Sequence, residues 1–68
     1  MNEEVFHNSI RKLLRRVGVT SQQELEKAVE QGIKSGQLKG DESFSVTIRV
    51  ESDLLEQPHI IEGQIDLA

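Results

Sequence analysis

Val17-Gly18-Val19-Thr20-Ser21-Gln22-Gln23-Glu24 is the stretch on which the fold of this chain turns. Gly18 suits the left-handed residue that follows a helix. Ser21 with Glu24 matches a capping box, in which a serine oxygen accepts from a backbone N–H and a glutamate three residues on answers it. Thr20 with Gln23 would serve one residue earlier. Read this way, residues 18–21 end one helix and begin another.

On the N-terminal side, Phe6, Ile10, Leu13, Leu14 and Val17 recur at helical spacing within an arc of about 100°. Arg11, Lys12, Arg15 and Arg16 fall on the opposite face. Glu3 and Glu4 lie at the start and the four bases toward the end, which suits the helix dipole. On the C-terminal side, Leu25, Ala28, Val29, Gly32 and Ile33 share a face and Gly36 marks a stop. A glycine in that face weakens a helix by about 1 kcal/mol relative to alanine. Ala28 and Gly32 together therefore predict close approach of another backbone.

Farther along, residues 36–43 form a turn-rich connection with Leu38 as its anchor. Phe44, Val46, Ile48 and Val50 then alternate with Ser45, Thr47, Arg49 and Glu51, the period of a half-buried strand. Residues 52–58 make a loop ending at Pro58, which cannot donate to a ladder. Ile61, Gly63, Ile65 and Leu67 alternate with Glu62, Gln64 and Asp66 in a second strand. The expectation is one α+β domain over residues 1–68, two amphipathic helices followed by an antiparallel β-hairpin (ααββ). Phe44, Val46, Ile48, Val50, Ile61, Ile65 and Leu67 would be buried against the helices.

Leu, Ile, Val and Phe occupy 21 of 68 positions, enough for a core rather than a disordered chain. A core of this size leaves a net stability close to zero, and such domains usually need a disulfide, a metal or a partner. Cysteine is absent, and only His7 and His59 remain as imidazole ligands. Self-association follows as the leading means of stabilisation. The chain lacks the roughly 18 consecutive apolar residues of a membrane span, and its acidic start is not that of a signal peptide. A cytoplasmic location is the default expectation. Charge is uneven: residues 1–40 carry five acids and seven bases (+2), residues 41–68 seven acids and Arg49 (−6).

Helix, turn, helix and hairpin in that order would suit a winged-helix nucleic-acid binder. Against it, the outward residues of the second helix include Glu24, Glu26 and Glu30, and DNA affinity rests on cationic contacts. Arg11, Lys12, Arg15 and Arg16 suit phosphate or an acidic partner, although such a face is commonly just solvated. His7 is expected to pair locally with Glu3. Neither histidine sits in a catalytic spacing, and no phosphate loop or nucleophile motif occurs. The sequence therefore predicts no enzyme, no cofactor and no metal. Leu54 and Leu55 are adjacent in a loop, so either one plugs the core or both form a contact patch that Ile60 extends.

Met1-Asn2-Glu3, Ser9-Ile10-Arg11-Lys12, Val17-Gly18-Val19-Thr20-Ser21-Gln22, Leu38-Lys39-Gly40 and Ile61-Glu62-Gly63 together resemble a family of very small bacterial proteins of unknown function. The resemblance covers almost the whole chain and implies a free-standing bacterial cytosolic protein, with no site residues to transfer. The functional expectation is a protein–protein interaction module, associating with itself as a homodimer through the sheet edge or with another protein. The alternative is the winged-helix-like nucleic-acid binder.

Overall fold

Asn2 begins the first element: its side-chain oxygen accepts from the Val5 N–H at 3.1 Å, and its carbonyl accepts from Phe6 at 3.1 Å. In a computed structural model describing residues 1–68, the helix started there is α1, Glu3–Ser35, and it is followed by β1, Ser43–Val50, and β2, His59–Asp66. The chain divides into two compact units, Met1–Gln37 and Leu38–Ala68.

One helix stands where two were expected. Gly18 and Ser21 are interior to α1, and the only glycines with positive φ are Gly36 (82°) and Gly40 (105°). No capping box forms at Ser21, and the next residue, Gln22, donates to Glu26 Oε1 at 2.9 Å along the helix surface. The helix ends instead at Gly36, whose N–H donates to the Ile33 carbonyl at 3.2 Å.

Two physical terms favour continuity through residues 18–21. Residues 3–35 contain no proline, so nothing forbids the i→i−4 ladder there. A glycine inside it costs about 1 kcal/mol, whereas a break leaves four carbonyls and four N–H groups to be satisfied otherwise. The apolar pattern also keeps its phase. Phe6, Val17 and Ala28 are eleven residues apart, as are Ile10, Ser21 and Gly32, and Leu14 and Leu25. Eleven residues complete three turns with about 20° of drift, so all eight positions stay within about 100° of one face.

Exposure along α1 is graded. Residues 3–20 are exposed, Ser21, Leu25 and Val29 are half-buried, and Gly32 is the one buried residue of the chain. Ala28, expected to share the close packing of Gly32, is exposed. With a single helix, the first-helix neighbour anticipated for this pair does not exist.

The hairpin follows the alternation closely. Its antiparallel register pairs Phe44 with Ile65, Val46 with Gly63, Ile48 with Ile61 and Val50 with His59, which gathers one apolar face. Ser43, Ser45, Thr47 and Arg49 oppose Asp66, Gln64, Glu62 and Ile60 on the other. Leu67 lies beyond β2, but its N–H still donates to the Glu42 carbonyl at 2.9 Å.

The expected buried face is not buried. Phe44, Val46 and Leu67 are half-covered, while Ile48, Val50, Ile61 and Ile65 are exposed, and no hydrophobic residue of the chain is buried. A single helix and a two-stranded sheet each form one layer, and a layer cannot cover its own apolar face.

An added Cβ at Gly18 would meet nothing within 4 Å. Gly18→Ala should therefore stabilise α1 by about 0.5–1 kcal/mol and raise helicity in circular dichroism. A loss of helicity would mean that the chain turns at Gly18.

Candidate interaction surfaces

Arg11, Lys12, Arg15 and Arg16 occupy two successive turns of α1, and none of them forms an ion pair. Arg11 Nη1 donates to Asn8 Oδ1 at 3.3 Å. Arg11, Lys12 and Arg15 border an open groove of about 350 Å³ with Val5, Asn8 and Ser9. The groove lies on one helix, so it presents charge without enclosing a ligand. The anticipated Glu3–His7 pair does not form; the His7 ring lies tilted against Phe6, with centroids 5.5 Å apart.

The hairpin carries the second candidate surface. Leu54 is 94% exposed, and Leu55 is 43% exposed, so neither leucine is buried as a plug. Ser52 orders this loop: its hydroxyl accepts from the Leu54 N–H at 3.2 Å and its carbonyl from Leu55 at 3.1 Å. Leu55 borders a recess of about 370 Å³ shared with Glu51, Asp53 and Glu56. Ile60 stands in β2 opposite Arg49, an apolar side chain on the polar face. Arg49 forms an ion pair with Glu51, the first residue after its own strand.

Two carboxylates do structural work that the sequence pattern did not disclose. Glu42 accepts backbone N–H groups from Lys39 (2.9 Å), Gly40 (3.0 Å) and Asp41 (3.2 Å). These donors, Lys39 foremost, hold its carboxyl below the ordinary 4.5. Asp66 accepts from the Ser43 hydroxyl at 2.7 Å and from Gln64 at 3.2 Å, and the Ser43 bond leads in lowering its carboxyl below 3.8. Together they fasten the turn before β1 and the open end of the hairpin. The signal for Glu42 was faint: an acid just after Lys39-Gly40-Asp41, where Gly40 permits a left-handed backbone.

Because both carboxyls titrate lower when folded, the order they confer is complete above pH 4.5. It is lost as the pH falls through their folded values. Amide protection relative to the intrinsic exchange rate should fall at Lys39, Gly40 and Asp41 in that acid range. Glu42→Gln should abolish the pH dependence at those three amides while leaving the β1–β2 pairs in place.

No three His, Asp or Glu side chains converge to hold a metal ion. No helix is long and apolar enough to cross a membrane. The unbroken run of α1 also removes the turn that a helix-turn-helix reader requires between its two helices. Comparison with curated proteins and with solved structures finds no match to the chain. A family model does match, over residues 1–68. The chain therefore belongs to that family, DUF6494, a family of unknown function.

Proposed function

We propose that this chain is a self-associating protein-interaction module, cytoplasmic and without enzymatic activity, in which association supplies the apolar cover that each unit lacks. The observation that carries this reading is that no hydrophobic side chain is buried. Units shorter than about 40 residues seldom hold a fold unaided without disulfides, metals or oligomerisation. Cysteine is absent here and no metal cluster forms, which favours oligomerisation.

The hairpin offers one route. Its sheet has two strands and so two open edges, each a row of backbone donors and acceptors ready to pair. Pairing the same edge of two chains about a two-fold axis makes a four-stranded antiparallel sheet and removes two edges at once. Leu54, Leu55 and Ile60 add exposed apolar surface to the same unit. Against this stands the −6 charge of residues 41–68, which is screened beyond roughly 8–10 Å at physiological salt.

Light scattering over a concentration series should give a mass above that of the monomer, rising with salt. Ile60→Lys should lower it, because a lysine beside an edge opposes pairing. A monomeric mass at high micromolar concentration, in both low and high salt, would overturn this reading.

A further inference from the structure

The hydrogen bond from the Leu67 N–H to the Glu42 carbonyl fixes which backbone groups of the hairpin face outward. Residues 42 and 67 share the register of the two strands, so the groups of β1 that bond to β2 belong to its even-numbered residues. Ser43, Ser45, Thr47 and Arg49 therefore turn their N–H and C=O groups to the outer edge, where no other strand pairs with them. On β2 the outward groups are those of Ile60, Glu62, Gln64 and Asp66. The two edges differ in charge. Arg49 is the one charged residue of β1, whereas β2 carries Glu62 and Asp66, so joining two β2 edges would set acids of both chains on neighbouring strands. β2 also has Gly63 at mid-strand, opposite Val46, where an added Cβ would meet nothing within 4 Å. A glycine there brings no side chain to a joint.

We propose that the outer edge of β1 pairs antiparallel with the same edge of a second copy of the chain, about a two-fold axis between their Val46 residues. The inference rests on the self-association argued above and names the edge and register that carry it. Backbone direction and side-chain face together admit only registers that pair odd residues with odd ones. Two of these align all but one of the eight residues of β1, one centred on Val46 and the other on Thr47. The polar face chooses between them. Ser43, Arg49 and Asp66 share that face, and Asp66 accepts from the Ser43 hydroxyl at 2.7 Å. Centring on Val46 places Arg49 of the second copy beside Ser43, two strand spacings or about 10 Å from Asp66 and within reach of its guanidinium. Centring on Thr47 puts Glu51 of the second copy there instead, acid toward acid.

In the Val46-centred register Ser43 faces Arg49 and Ser45 faces Thr47 across the joint. Each such pair exchanges two backbone hydrogen bonds, about eight in all. On the other face Phe44 meets Ile48 of the second copy and Val46 meets Val46, side-chain pairs of the kind that stabilise sheets. The apolar pairs Phe44–Ile65 and Ile48–Ile61 of the two hairpins then form continuous rows across four strands. Ile60 stands opposite Arg49 within each hairpin, so Ile60→Lys acts on this joint by setting a second cation beside that arginine.

The absence of cysteine makes single-cysteine variants clean reporters. V46C should cross-link to itself under mild oxidation, because residues facing each other at the axis lie about 4.5 Å apart between Cα atoms. G63C, three strand spacings or about 14 Å from its counterpart, and T47C, about 8 Å from its own, should do so roughly tenfold more slowly or not at all. R49E and D66R should each lower the solution mass toward that of the monomer while circular dichroism keeps the parent's signal. An equimolar mixture of the two should restore the dimer, because each row then joins opposite charges again. Fast cross-linking of G63C would overturn the choice of edge, and fast cross-linking of T47C the register, with self-association left standing in both cases. A mixture that stays monomeric would overturn the Arg49–Asp66 row and with it this register. A parent that is monomeric at high micromolar concentration would overturn both this inference and the self-association on which it rests.

Discussion

Apolar faces come in layers, and a layer is stable only when something else lies on it. Both units of this chain are single layers. The helix keeps Phe6, Ile10, Leu14, Val17, Leu25 and Gly32 in one phase over about seven turns, because eleven-residue spacing nearly matches the natural helical repeat. The hairpin gathers Phe44, Val46, Ile48 and Ile65 with equal consistency. Each face is well made and lacks cover within its own unit. Burial of apolar area is the dominant favourable term in folding. A chain whose hydrophobic residues all retain solvent contact has yet to realise most of that term.

Local polar chemistry compensates in part by fixing the ends. Asn2 and Gly36 close the two ends of α1, each with a hydrogen bond that would otherwise be missing. Glu42 draws three successive backbone N–H groups onto one carboxylate and gives the turn before β1 a defined shape. Ser43 and Asp66 then join the two strands where they would otherwise fray. These bonds set register and direction; being exposed, they add little to global stability. They explain how a small chain without cysteine holds a definite local geometry.

The electrical asymmetry of the chain bears on what it meets. Arg11, Lys12, Arg15 and Arg16 form no ion pair, and seven of the twelve acidic residues lie after residue 40. The −6 charge of residues 41–68 discourages edge pairing of like hairpins at low salt, so charge tempers that mode of association rather than driving it. Membership in a family of unknown function leaves the chemistry of these surfaces as the guide to activity.

Sequence alone determined the features that depend on short-range periodicity. Alternation from Phe44 to Val50 and from Ile61 to Ile65 specified both strands and the face each residue takes, because a one-residue slip would reverse every side chain. The apolar residues of α1, its basic face and its stop at Gly36 were equally legible. Whether Gly18 and Ser21 end a helix or lie within one was not, since glycine and serine are tolerated in both settings and the local energies differ by about 1 kcal/mol. That choice belongs to the whole 33-residue element, in which continuity keeps the ladder intact and the stripe in phase. The role of Glu42 was hidden for a related reason, as its donors converge only once the backbone of residues 39–41 has taken its shape. Patterning shows which residues want cover. Only the folded chain reveals that those of Met1–Gln37 and Leu38–Ala68 keep their solvent contact, because burial depends on what lies opposite a face and not on the face itself.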